Sequence, residues 1–124
     1  MDADELKRLY DEGKRDFTGA NLAKLKLIGI NCAGINLWGA DLTGANLAKA
    51  KLWGANLSGA NLAKANLTRA NLTCAQLERA NLRGAKLQYT KLYGANLTGA
   101  TYDETTKFTK NFDPLSRNMQ KISS

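Results

Sequence analysis

Apolar residues recur along this chain at intervals of five, which suits neither a helix nor a flat strand. From Leu37 to Leu97 every fifth residue is Leu, and from Ala40 to Ala100 the residue two places before each of these centres is Ala, with Thr90 the exception. A five-residue step advances an α-helix by about 140° beyond a full turn, and an odd step alternates the faces of a strand. The spacing therefore predicts a chain that turns by a fixed angle per unit, as stacked solenoid repeats do.

Glycine positions indicate where the chain turns. Ten of the 11 Gly residues lie two places after a centre, and Gly13 is the exception. A type II turn needs a positive φ at its third residue, which Gly adopts without strain, so a corner is predicted there in every unit. Seven corners carry another residue, where a different turn geometry or a modest strain is expected: Lys24, Lys49, Lys64, Arg69, Cys74, Arg79 and Tyr89.

The tandem units at residues 40–44 (Ala-Asp-Leu-Thr-Gly) and 45–49 (Ala-Asn-Leu-Ala-Lys) resemble the pentapeptide-repeat family, whose pattern is Ala-(Asp/Asn)-Leu-x-x. The resemblance covers residues 15–103 and includes 18 centres from Phe17 to Tyr102. It implies an all-β solenoid, a right-handed quadrilateral β-helix in which four units form one coil. The 18 centres then give about 4.5 coils and a rod roughly 22 Å long at the spacing of hydrogen-bonded strands.

The repeats divide the chain into three segments: residues 1–14 as an N-terminal capping helix, 15–103 as the β-helix, and 104–124 as a C-terminal cap and tail. The helix is predicted over Ala3 to Glu12, with Asp2 as its N-cap and Gly13 as its stop. We expect it to cover the first coil, because stacked coils leave an open sheet edge. Three bulky residues replace Ala there, as a plugged end or as a plain packing variation: Leu25, Ile30 and Ile35.

Beyond Tyr102 the five-residue pattern lapses. The tail is similar to the closing segment of many bacterial, especially cyanobacterial, members of the family, and Phe108 and Phe112 are expected to cover the last coil. Asp113 and Pro114 predict the start of a short helix. Its apolar stripe would be Leu115, Met119 and Ile122. Two interpretations of this stripe stay open, a cap folded back on the rod or a contact for a weak dimer, and residues 121–124 are expected to fray.

Residues that would carry out chemistry are scarce. The chain has no His, which excludes a Ser-His-Asp triad and a His-containing metal site. The carboxylates within the repeats are scattered, and no phosphate-binding loop motif accompanies the glycines. The Asn residues before the centres are expected to stack amide upon amide along the outer wall. We therefore expect no enzyme activity, no catalytic residue, and neither a cofactor nor a metal.

The N-terminal residues and the two cysteines favour a cytoplasmic protein without a membrane segment. The first five residues are acidic, whereas a signal peptide would begin with basic and then apolar residues. Cys32 is a core centre, and Cys74 points outward about two coils, or roughly 10 Å, away, too far for a disulfide. Free thiols are typical of a reducing compartment.

Charge and aromatic residues supply the candidate surface. The net charge of +7 divides into −2 for residues 1–14, +7 for residues 15–103 and +2 for the remainder. Numbering with a period of 20 collects Lys51, Trp53, Cys74, Lys91 and Tyr93 on one side, with Trp38 on another and four further cations on a neighbouring side (Lys26, Lys49, Arg69 and Lys86). The candidate partner surface is Trp38, Lys51, Trp53, Lys91 and Tyr93. A surface that is merely solvated is the alternative.

Two classes of function follow. The first is a non-enzymatic, rigid module that binds an unidentified protein. The second is a role connected with nucleic acid, either nonspecific binding through the basic surface or, by resemblance, the DNA mimicry with which some family members protect type II topoisomerases. Mimicry needs a negative surface, and the +7 charge argues against it.

Overall fold

Parallel pairing at a separation of 20 residues builds the molecule. The computed structural model describes residues 1–123. Its bridges run without a break from Asp16↔Asn36 to Asn81↔Thr101, always between residues 20 positions apart. Four repeats therefore complete one coil, as the resemblance to pentapeptide repeats implies, and successive coils stack in register.

The regular elements are short. The described part of the chain contains α1 (Ala3–Asp11), β1 (Lys86–Leu87), β2 (Thr101–Tyr102), β3 (Lys107–Phe108), a 3₁₀ helix (Leu115–Arg117) and β4 (Gln120–Lys121). β1 pairs with β3 and β2 with β4, both in parallel. Elsewhere each coil contributes single bridging residues, because a corner interrupts the extended backbone every five residues.

We number the four sides of the rod in chain order by their centres. Side 1 contains Phe17, Leu37, Leu57, Leu77 and Leu97, and side 2 contains Leu22, Leu42, Leu62, Leu82 and Tyr102. Side 3 contains Leu27, Leu47, Leu67 and Leu87, and side 4 contains Cys32, Leu52, Leu72 and Leu92.

Every centre from Phe17 to Tyr102 is buried, and so is every residue two places before a centre from Ile35 onward. Leu62 illustrates the unit: its amide donates to the Asn81 carbonyl of the next coil (2.8 Å), and its carbonyl accepts from the Ala65 amide across the corner (3.0 Å). Thr90 replaces the inward Ala without leaving its hydroxyl unpaired, because that group donates to the Leu67 carbonyl (2.7 Å). The predicted inward columns are confirmed.

All corners share one backbone conformation. The glycine corners have φ between 66° and 74°, and the seven others have φ between 58° and 63°. The expectation of a different turn geometry at the non-glycine corners is wrong. These residues adopt the left-handed region that L side chains disfavour, so the alternative expectation, strain, holds.

The predicted amide ladder is mostly wrong. Asn side chains before the centres instead accept from the backbone amide two residues later, as Asn56 does from Ser58 and Asn66 from Thr68 (both 3.0 Å). Within residues 1–123 a bond between stacked amides joins Asn81 to Asn61 (3.3 Å). The local bond prevails because a short Asn or Asp side chain reaches the turn amide of its own chain.

α1 packs across the first coil. The Asp2 carboxylate accepts from the Glu5 amide (2.8 Å), which is the predicted N-cap, and the helix ends at Asp11, one residue before the predicted end. Leu6 and Tyr10 join the core cluster that contains Phe17. The Tyr10 hydroxyl also donates to a backbone carbonyl of the coil, that of Ala33 (2.6 Å).

The chain beyond Tyr102 continues the stack of coils through β3, which pairs with β1. β3 sets Phe108 beside Leu87 of the coil below, one residue later than the five-residue pattern would place a centre. The Phe108 ring contacts Tyr102 edge-on (5.4 Å between centroids) and stacks on Phe112 (5.0 Å). Both predicted phenylalanines thus pack at this end of the core.

A short helix begins after Pro114, as predicted, but its predicted apolar stripe is wrong. Only the three-residue 3₁₀ helix forms in this segment, with Leu115 exposed (65%) and Met119 buried (4%), so no shared stripe exists. Hydrogen bonds instead hold this segment against the last coil. The Arg117 guanidinium donates to the carbonyls of Leu92 (3.2 Å) and Ala95 (2.8 Å).

The expected fraying at the end is also wrong for Lys121 and Ile122. Lys121 lies in β4, and the Ile122 amide donates to the Tyr102 carbonyl (2.8 Å). Of the other two residues in that expectation, Ser123 is exposed and follows β4 outside any regular element, and Ser124 lies outside the described residues. None of the helices in the described chain has the length and hydropathy needed to cross a bilayer.

Candidate partner surfaces

Side 4 carries four of the five candidate residues at a regular spacing. Lys51 pairs with Asn71, which pairs with Lys91, so the two lysines lie two coils apart in one column. Trp53 and Tyr93 follow them by two residues each and form the matching column. Two steps of hydrogen-bonded strands separate the aromatic residues by about 10 Å.

Both aromatic side chains of side 4 reach solvent. Trp53 is 54% exposed and Tyr93 is 84% exposed. Their backbones are tied to the neighbouring coil, because the Trp53 carbonyl accepts from Gly34 (3.0 Å) and the Tyr93 carbonyl accepts from Cys74 (2.9 Å). The rings therefore project from a hydrogen-bonded wall.

Trp38 projects from side 1, which adjoins side 4 around a corner. It is 55% exposed and borders a shallow depression with Ser58, Glu78 and Arg79. The Ser58 hydroxyl donates to the Glu78 carboxylate (3.3 Å). The candidate residues thus occupy two adjoining sides of the rod.

Side 3 is more basic than the sequence indicated. Lys26, Lys49, Arg69 and Lys86 lie there as expected, and β3 adds Lys107 beside Lys86. Lys110 borders the same depression as Tyr89. These two additions were missed because the pattern lapses after Tyr102, although a Lys-Phe pair near the expected position could have signalled another unit.

The carboxylates of Asp16 and Asp41 accept hydrogen bonds from the corner residues that follow them. The pKa of Asp16 is lowered by the Thr18 hydroxyl, which donates to its carboxylate (2.7 Å). The pKa of Asp41 is lowered in the same way by Thr43. Among residues 1–123 no three His, Cys, Asp or Glu side chains converge to hold a metal ion.

The two thiols differ in environment. Burial raises the pKa of the Cys32 thiol to about 11, so this thiol is neutral near pH 7. Cys74 is exposed on side 4, between the coils of Trp53 and Tyr93, and both cysteines are free. Cys32 thus behaves as an apolar member of the core.

Comparisons with known proteins agree with this architecture. A family model for pentapeptide repeats (8 copies) matches residues 16–53, 26–63 and 60–99. The solved structure of alr5209, a pentapeptide repeat protein from Nostoc Pcc 7120, is 37% identical, with a TM-score of 0.70 over 98% of this chain and 96% of that chain. Rfr23 from the cyanobacterium Cyanothece 51142 is 43% identical, with a TM-score of 0.74. The match covers 75% of this chain and 63% of the length of Rfr23.

More distant structures carry no argument about function. QnrB1, a plasmid-mediated fluoroquinolone resistance protein, is 18% identical, with a TM-score of 0.44 over 88% of this chain and 60% of its own. The comparison with curated proteins found no match. The relatives from Nostoc and Cyanothece imply a right-handed quadrilateral β-helix, and the repeat model matches well over half of the residues. The chain belongs to the pentapeptide-repeat family.

Proposed function

We propose that this protein is a non-enzymatic, rigid interaction module that binds a protein partner through side 4. The observation that carries the proposal is the pair of exposed rings, Trp53 and Tyr93, on one side of the rod. Trp and Tyr are enriched among the residues that dominate binding energy at protein interfaces. Lys51 and Lys91 would supply a polar rim.

Rigidity favours this use of the surface. Each ring is attached to a backbone that is bonded to the preceding coil, so little backbone freedom is lost when a partner binds. The two anchors also hold a fixed spacing, which a partner with two complementary pockets would match.

The size of one side suggests that the partner extends around a corner. A side of roughly 22 Å by 16 Å offers about 350 Å², whereas a stable interface buries about 800 Å² on each partner. Side 1 adjoins side 4 and presents Trp38, which would extend the contact. All five candidate residues then belong to one interface.

The two ends of the chain have a supporting role in this proposal. We assign residues 1–14 and 104–124 as caps of a rod of about 4.5 coils. Leu6 and Tyr10 would shield the first coil, and Phe108 and Phe112 the last, which would keep the sheet edges from pairing with other chains. The rod would then act as a monomer or a weak dimer in the cytoplasm.

A capture experiment tests the proposal. The wild type and the Trp53→Ser/Tyr93→Ser variant are immobilised and exposed to native extract, with Tyr89→Ser as a control that removes an exposed ring from side 3. The double variant should lose a partner that the wild type and the control retain, while circular dichroism and melting temperature stay nearly unchanged. Equal capture by all three would remove side 4 from consideration, and loss of folding would show that the rings are structural.

A further inference from the structure

Side 3 carries positive charge without negative charge. Its segments and their continuation at residues 106–110 contain six Lys or Arg and no Asp or Glu: Lys26, Lys49, Arg69, Lys86, Lys107 and Lys110. Sides 1 and 2 each carry both signs, with Glu78 beside Arg79 on side 1 and Asp41 among the lysines of side 2. Side 4 carries two lysines, Lys51 and Lys91, and no carboxylate, so the largest excess of positive charge lies on side 3.

The cations of side 3 lie in two columns. One column follows the bridges from Lys26 through two asparagines to Lys86 and then Lys107. The other follows the corners, where Lys49 lies one coil below Arg69. Residues within a column are about 4.8 Å apart per coil, and the columns are about 10 Å apart because three residues separate them along the strand.

These charges are not neutralised by direct contact. The close ion pairs found in the described chain, Lys7–Asp11 and Arg8–Glu12, lie on α1 and its C-cap residue Glu12, away from the other cations of the repeats. At the N-terminal end of side 3, Asp4 borders the same depression as Lys26, which moderates the potential there. The remaining five cations are exposed on the middle and the C-terminal end of the side.

We propose that side 3 binds the phosphate backbone of double-stranded nucleic acid without reading its sequence. Charge complementarity selects a polyanion, and two parallel columns on a flat, stiff wall match a stiff polyanion that presents rows of phosphates. The mode of contact would be phosphate binding by Lys and Arg, which positions a protein on a duplex but carries no base information.

Two other polyanionic partners fit side 3 less well. Binding of single strands relies on aromatic platforms for unpaired bases, and the exposed ring of this side, Tyr89, already stacks under the Arg69 guanidinium (4.7 Å). A membrane surface would favour a band of apolar residues for insertion, whereas the exposed large apolar residues of side 3, Ile28 and Tyr89, lie three coils apart.

A matched pair of triple variants tests the proposal. Lys49→Gln/Arg69→Gln/Lys86→Gln removes three charges from side 3, and Lys24→Gln/Lys64→Gln/Arg83→Gln removes three from side 2. The corners involved share the same backbone, with φ of 61° and 62° on side 3 and 63° and 61° on side 2. Binding of a labelled duplex of about 25 base pairs is measured by fluorescence anisotropy between roughly 50 and 200 mM salt, where each phosphate contact contributes about −0.9 to the logarithmic salt slope.

We expect the wild type to bind with a steep salt dependence and the side 2 variant to stay within about threefold of it. The side 3 variant should lose at least about tenfold in affinity, with a salt slope shallower by two to three units. Equal losses in the two variants would show that net charge alone matters and would overturn the proposal. Absence of duplex binding at 50 mM salt, tighter binding of a single strand, or cosedimentation with phosphatidylserine vesicles in place of duplex binding would each overturn it as well. Side 4 is unchanged in both variants, so this outcome is independent of the capture experiment.

Discussion

Lys64 and Gly84 occupy the same corner of successive coils and hold the same left-handed backbone, with φ of 61° and 70°. A lysine in this region is strained by its Cβ, whereas a glycine is not. We therefore predict that Lys64→Gly raises the free energy of unfolding by up to about 1 kcal/mol, after the greater freedom of glycine in the unfolded chain is subtracted. Urea denaturation followed by circular dichroism measures the change.

Two glycine corners provide the controls for this prediction. A Cβ at Gly59 meets no atom within 4 Å, so Gly59→Ala reports the backbone strain without a steric contact, a loss of up to about 1 kcal/mol after the reduced freedom of the unfolded chain is subtracted. A Cβ at Gly84 would approach the Lys64 Cγ to 3.2 Å, so Gly84→Ala should lose more. Unchanged stability in Gly59→Ala would show that the corners tolerate side chains freely.

The Leu columns should account for much of the stability of the rod. Leu62 is fully buried at 0% exposure, and the stacked coils around it leave little freedom to close a cavity. We predict that Leu62→Ala lowers the free energy of unfolding by about 2 to 5 kcal/mol, whereas Ser58→Ala on the outer wall, which loses the hydroxyl bond to Glu78, lowers it by no more than about 1 kcal/mol. Similar denaturation midpoints for the two variants would contradict the importance of the inward column.

Asp41 should make the rod sensitive to acid. The Thr43 hydroxyl and amide donate to its carboxylate and hold its pKa below the ordinary value. Because the folded pKa is the lower one, the carboxylate stabilises the fold fully above the unfolded value of about 3.9, and this contribution is lost as the pH falls through the folded value. We predict a shallower fall in melting temperature on acidification for Asp41→Asn than for the wild type.

The same substitution has an internal control. Asn61 holds the equivalent position one coil above and accepts from the Ala63 amide (3.0 Å), so an asparagine at position 41 retains the local bond and loses only the charge. Parallel melting profiles of the two proteins between about pH 5 and pH 2 would show that this carboxylate is not linked to folding.

The repeat region could be predicted from sequence because one rule determines every residue in it. A centre such as Leu62 has the same neighbours at every coil, so its burial follows from the spacing alone. The backbone conformation of the corners could be predicted only in part. Glycine marks the positive φ, but the sequence did not decide whether Lys64 would adopt it, and hydrogen bonds to the adjacent coils impose that conformation.

The tail could not be predicted because one additional residue shifts its register. The turn from Asp103 to Thr106 is held by the Thr106 hydroxyl, which donates to the Leu82 carbonyl (2.9 Å) and accepts from the Asp103 amide (3.1 Å). This turn delays the next centre by one residue and brings Phe108 over Leu87. A strict count of five predicts Lys107 as the centre, so the sequence pattern ends where the stack continues.

The positions of the exposed residues could be predicted from the sequence only within the regular coils. Trp53 and Tyr93 follow from the period of 20, since both lie within the regular coils. Lys107 could not be assigned to side 3 until the pairing of β3 with β1 was known. Lys107 itself comes from a part of the chain in which the five-residue spacing no longer applies, although its neighbour Lys86 lies within the regular coils.

The sign of the charge on the rod leads to a last prediction, about type II topoisomerases. A DNA mimic must be negative to occupy a surface that binds DNA, and the repeat region here carries +7. We predict that the protein at a stoichiometric ratio to gyrase neither inhibits supercoiling nor protects the enzyme from a quinolone, in a gel assay of plasmid topology. The triple side 3 variant described above is the control, because inhibition caused by coating of the plasmid would disappear in it, whereas inhibition by mimicry would persist. Quinolone protection by both proteins would therefore identify a contact with the enzyme itself and would contradict the argument from charge.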